Sequence, residues 1–224
     1  MNNVFNQFKK EIVKVDLVGK SDFRGTLIES NDEIIVLFDG DDFVYIPMNH
    51  VDNISVVQDE MDTIQRPSIL PTYLNGNDEK VLTFDEMLNL AKGFYTEIYF
   101  ANRQPIHGII YNVMSDYFIF HSPIYKTLYI SKQHLKWFIP FLDQQRPFDL
   151  TDKELKNRSK TTFEASFERQ IEKMKNKLVV FNLGEQSHHI GKLVNMNNKM
   201  IEIRTARGNT ILLNLEHIKS MHEV

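Results

Sequence analysis

The chain has 224 residues, enough for one large domain or two to three small ones. Apolar residues make up 42% and charged residues 25%, which excludes a disordered polymer, and a net charge of -4 argues against a general nucleic-acid binder. With no cysteine there is no disulfide framework, thiolate metal site or thiol nucleophile, and no apolar run approaches the roughly 18 residues of a membrane span.

The amino end, Met1 to Lys10, lacks the apolar core of a signal peptide, so the expected place is the cytoplasmic side of a membrane. Val4, Phe5 and Phe8 have weak helical spacing. Val13-Lys14-Val15-Asp16-Leu17 then alternates apolar and polar, the period-2 pattern of a half-buried strand. A second strand restarts at Gly25-Thr26-Leu27-Ile28, and Glu33 to Phe38 is a third, β-branched run. Asp39-Gly40-Asp41-Asp42 has hairpin chemistry, Phe43 to Pro47 is the return strand, and His50 to Val56 supplies a short last strand. Gln58 to Lys80, with Pro67, Pro71 and Gly76, reads as a linker.

A helix is predicted from Phe84 to Lys92, capped by Thr83 with Glu86 at capping-box spacing and stopped by Gly93. A second linker covers Asp143 to Lys160. Beyond it Phe163, Phe167, Ile171 and Met174 recur at helical spacing between Thr161 and Lys175.

The pattern is written three times. Gly25, Gly108 and Gly191 stand 83 residues apart, with matched apolar columns at Val15, Ile98 and Phe181 and at Leu27, Ile110 and Leu193. A second anchor closes each copy: His50, His134 and His217, each followed by an aliphatic residue and then a large apolar residue three further on. The histidine intervals are 84 and 83, so one residue is inserted between Gly108 and His134. The expected fold is mainly β: three tandem small five-stranded barrels, Sm-like or SH3-like, each preceded by a short helix and each closing its sheet on itself. The boundaries are 1–60, 81–142 and 161–224, with linkers at 61–80 and 143–160.

Catalytic, cofactor and metal sites are expected to be absent. The recurrent histidines sit one to a module, far apart, and fit a structural turn better than a ligand set. His188-His189 would chelate together only from a loop, and the Asp39 to Asp42 tip lacks the ligand spacing of a calcium loop. An Sm-like barrel raises RNA binding, but the base-reading positions fall near Ile35, Phe118 and Ile201, all apolar. Thr205 to Asn209, with Arg207-Gly208, matches the second RNA loop faintly, and tyrosines such as Tyr95, Tyr99 and Tyr111 could stack bases. Charge is uneven: residues 1–60 carry 5 Lys/Arg and 12 Asp/Glu, and residues 152–224 carry 13 and 9. That asymmetry could steer head-to-tail association.

Leu215-Glu216-His217-Ile218-Lys219-Ser220-Met221 is similar to the His-Ile-Lys-Ser-Ile ending that recurs in the outer spore coat protein B family of endospore-forming bacteria. That family also has three tandem units with a Gly-x-Leu step, here Gly25-Thr26-Leu27, Gly108-Ile109-Ile110 and Gly191-Lys192-Leu193, and an acidic helix before the second, here Phe84 to Leu88. The resemblance implies a non-enzymatic structural component of the spore coat, assembled from the mother-cell cytoplasm. Its partners would be other coat proteins or copies of itself, without a cofactor or a membrane. Sm-like RNA binding or regulation is the alternative, with nucleic acid the less favoured partner.

Overall fold

The computed structural model describes residues 7–19, 21–57, 64, 67–71, 82–100, 104–141, 148, 150 and 162–224. It is mainly β and antiparallel. Contacts divide it into two compact units: residues 1–91 with 136–145, and residues 92–135 with 146–224. The expected segment 81–142 is therefore shared between them.

In the first unit β1 (Ile12–Leu17), β2 (Ser21–Ser30), β3 (Ile34–Phe38), β4 (Phe43–Pro47) and β5 (Val51–Val56) follow the predicted runs closely. Helix α1 (Phe84–Leu90) carries the full capping box: the Thr83 side chain accepts from the Glu86 amide, and the Glu86 carboxylate accepts from the Thr83 amide at 2.9 Å. The unit is completed by a strand from much later in the chain, Trp137–Pro140. The Asp39 hairpin forms by an Asx turn, in which the Asp39 carboxylate accepts from the Asp41 and Asp42 amides at 3.0 and 2.8 Å. Gly40 there has φ +117°.

The second unit contains β6 (Tyr95–Tyr99), β7 (Ile106–Val113), β8 (Tyr117–Ser122) and β9 (Lys126–Ser131); the late strand of the first unit is β10. After it come α2 (Phe167–Glu172) and β11 (Leu178–Phe181), β12 (Ile190–Asn197), β13 (Met200–Arg204), β14 (Thr210–Asn214) and β15 (Ser220–Glu223). Helix α2 is shorter than the predicted 161–175 span; Ser166 caps it, and Thr161 lies outside the described residues. Of the first predicted helix, Val4 and Phe5 also lie outside the described residues; Phe8 stands in a 3-10 turn and its carbonyl accepts from the Glu11 amide at 3.0 Å. Both linkers fall largely outside as well.

Within the first unit the strand order is β10-β4-β3-β2-β1-β5, and within the second it is β14-β13-β12-β11-β15-β9-β8-β7-β6. β1 pairs with both β2 and β5, and β11 with both β12 and β15, so five consecutive strands form each sheet segment. Among the described residues the fourth and fifth strands of a stretch are not hydrogen-bonded to each other. The outer edge of β4 is paired by β10, and that of β9 by β15. An edge strand exposes a row of unpaired amides and carbonyls, and here the next stretch of the chain fills it.

The core follows from this pairing. β3 and β4 are buried at every position, because both faces of these apolar runs are covered. In the second unit Tyr117, Ile119 and Tyr129 share one cluster with Phe167, Ile171, Val179, Phe181 and Met221.

Candidate interaction surface

The three glycines do one job. A Cβ on Gly25 would lie 2.6 Å from the Phe38 carbonyl oxygen, and one on Gly191 2.7 Å from that of Arg204. On Gly108 it would collide with the carbonyl oxygen of His121. Each glycine thus lets the second strand of its stretch cross closely over the third. Two residues further on the register shifts at equivalent places, between Leu27 and Glu29, Ile110 and Asn112, and Leu193 and Asn195. A bulge at this point bends the strand. Upstream, Lys10, Gly93 and Asn176 are all left-handed, with φ of 73°, 83° and 70°, and their amides donate to the carbonyls of Leu27, Ile110 and Leu193 at 3.0, 3.2 and 2.8 Å. Of the three only Gly93 was named from sequence, as the helix stop; the shared position of Lys10 and Asn176 is set by the fold. The one residue by which the second and third stretches exceed the first falls in the hairpin between third and fourth strands, β8–β9 in the second, where Lys126 has φ 61°.

The three histidines each end a 3-10 turn: Met48–His50, Lys132–His134 and Leu215–His217. Each turn leads from the fourth strand of a stretch to the fifth. The expected wide separation fails for one pair, since the His134 ring Nε2 donates to the carbonyl of Glu216, next to His217, at 3.0 Å. Burial pulls the His134 pKa below its usual 6.5. Among the described residues no three His, Asp or Glu side chains are grouped to hold a metal ion.

What these turns position is a strand joint, built twice. In the first unit Phe138 of β10 lies opposite Tyr45 of β4, with the rings stacked at 4.8 Å and 21°. The edge of Phe23 meets Trp137 at 5.3 Å, and the Lys136 ammonium donates to the Val18 carbonyl at 3.0 Å. In the second unit Met221 of β15 lies opposite Tyr129 of β9, and Ser220 opposite Ile130. Both joints use one register: the fourth residue after a turn-ending histidine faces the fifth residue before the preceding one. A second contact accompanies each joint. The Glu33 carboxylate accepts from the Phe84 amide at 2.8 Å, and the Asp116 carboxylate from the Phe167 amide at 2.9 Å, so an acid from a β2–β3-type turn holds the next helix N-terminus. Sequence reading missed this pair, although its signal was present as an acid at equivalent positions 33 and 116.

The other candidate features are placed as follows. Ile35, Phe118 and Ile201 are fully buried, so they cannot meet a base. Thr205 to Asn209 forms the β13–β14 hairpin, with Arg204 and Arg207 exposed on it. His188 and His189 stand on a 3-10 turn with ring centroids 4.7 Å apart, and His189 is buried. A cleft of about 770 Å3 in the second unit is lined by His107, Ser122, Tyr125 and Glu185 among others, and His107 is engaged by the Glu97 carboxylate at 2.8 Å. No helix among the described residues is long and apolar enough to cross a membrane.

Residues 166–221 match the family model described as the YwrJ third domain. The chain is 35% identical over 224 aligned residues to "Uncharacterized protein YwrJ" of Bacillus subtilis (strain 168), an alignment covering 97% of this chain and 97% of that relative.

Proposed function

The chain belongs to the YwrJ family, and from that premise we propose that it is a non-enzymatic structural protein acting through protein–protein contacts, as a component of the bacterial spore coat. Its architecture on this reading is three tandem small five-stranded Sm-like barrels. Support comes from the threefold recurrence of the close-approach glycine, the bulge, the left-handed residue and the histidine-ended turn. The single observation that carries the functional reading is the strand joint. Twice the fold fills a sheet edge with a strand from the next stretch, and that is the chemistry of β-augmentation between proteins. The coat assignment rests on the resemblance of His217 to Met221 to the outer spore coat protein B ending.

The test is fractionation. Expressed from its own promoter in an endospore-forming host, an epitope-tagged chain is expected to be absent from growing cells, to accumulate in the mother cell and to be recovered in spore coat extracts. Equal abundance in growing cells with none in the coat extract would sink the assignment.

Exposed Arg204 and Arg207 favour one rival, RNA binding on the third stretch. It predicts filter binding of single-stranded RNA with a steep salt dependence that is lost when both arginines are changed to Ala. On the coat reading neither signal appears.

A further inference from the structure

The joint made twice inside the chain leaves one matching pair of strands over. Among the described residues no strand pairs with the outer edge of β14 or with the outer edge of β5. β14 is the third-stretch counterpart of β4 and β9, and β5 is the first-stretch counterpart of β10 and β15. We propose that β14 of one copy pairs antiparallel with β5 of a second copy, in the same register, with Leu212 opposite Ile54. This rests on the reading that the chain works by protein–protein contact.

Burial is the strongest argument. Tyr45 and Tyr129, each opposite a fifth strand, are 1% and 5% exposed, whereas Leu212, at the same position with no strand opposite it, is 59% exposed. On the other side Phe138 and Met221 are fully buried, while Ile54 is only half-buried. β14 and β5 have the most exposed burial patterns among the fourth and fifth strands. A large apolar side chain on an unpaired edge invites strand addition unless the edge is blocked, and neither strand carries a proline or a lysine. Charge agrees: the stretch that contributes β5 has 12 acids against 5 bases, and the one that contributes β14 has 13 bases against 9 acids.

The joint between copies differs from the internal ones in one respect. Lys199 stands where Glu33 and Asp116 hold a helix amide, and it pairs instead with Glu216. The intermolecular contact therefore lacks the helix anchor and is reversible and sensitive to salt. Because two different edges meet, the contact is heterologous. It closes when two or more copies complete a ring, and otherwise extends.

Purified full-length chain tests this by analytical ultracentrifugation over a range of concentration and salt. The unaltered chain should self-associate, and Leu212→Asp, a change at an exposed position, should abolish association with no change in the thermal melt. Ile54→Asp should also be monomeric, and an equimolar mixture of the two variants should recover a complex, since one intact β14 meets one intact β5. A monomeric unaltered chain, an associating Leu212→Asp chain, or a mixture that stays monomeric would each overturn the proposal. Should Ile54→Asp fail to fold, cysteines decide the matter, because the chain has none of its own. Leu212→Cys and Ile54→Cys chains should form a disulfide-linked dimer under mild oxidation only when mixed; cross-linking of either alone to the same extent counts against the joint. Coat fractionation is independent of these measurements, so loss of self-association leaves the coat assignment standing, and the reverse.

Discussion

At the scale of single residues, geometry explains identities that hydropathy does not. Gly191 is required because its missing side chain lets the Arg204 carbonyl approach, so Gly191→Ala must push two paired strands apart. Chemical denaturation should show a loss of about 1–3 kcal/mol, the usual cost of overpacking a tight site. Asn176→Gly should be neutral or slightly stabilising, because the position is already left-handed. These glycines were legible as anchors from their 83-residue spacing alone. Their physical role was not, since a close approach involves a carbonyl 13 residues away whose direction depends on strand register.

At the scale of elements, propensity and capping decide where helices and hairpins form, and partners decide what they are worth. The Thr83 box was readable because every group in it is local, and Thr83→Ala should lower stability by about 1 kcal/mol in a thermal or urea melt. The carboxylate of Asp116 on the α2 amide was not readable, because it joins residues 51 positions apart. β10 shows the same division. Its place after the repeated histidine, as counterpart of the predicted last strand His50 to Val56, marked it as a strand, but its place beside β4 depends on which edge lacks a partner. Phe138 is fully buried against Tyr45, so Phe138→Ala should cost about 3–5 kcal/mol by denaturant titration.

At the scale of the molecule, buried and half-buried histidines link stability to pH. His121, His189 and His222 have pKa values held below 6.5 by burial, the last two of these rings having no partner at Nδ1 and the first none at Nε2. Neutral rings are favoured in the fold and protonated rings in the unfolded chain below pH 6.5. Stability is therefore complete above that value and is lost as pH falls beneath it. A melting temperature that drops between pH 7 and 5, with a smaller drop in His121→Asn, is the expected result; a flat profile would contradict it.

The amino-acid sequence by itself determined the mainly β class, the threefold recurrence, most strand positions and the capped helix. Each of these depends on side-chain periodicity or on contacts within a few residues. Only the tertiary structure decided that the fourth and fifth strands of a stretch do not pair with each other, that β10 and β15 fill edges belonging to earlier strands, and that Leu212 is left exposed and Ile54 half-buried. Backbone hydrogen bonds carry no side-chain signature, so a strand's sequence says that it will pair without saying with which edge.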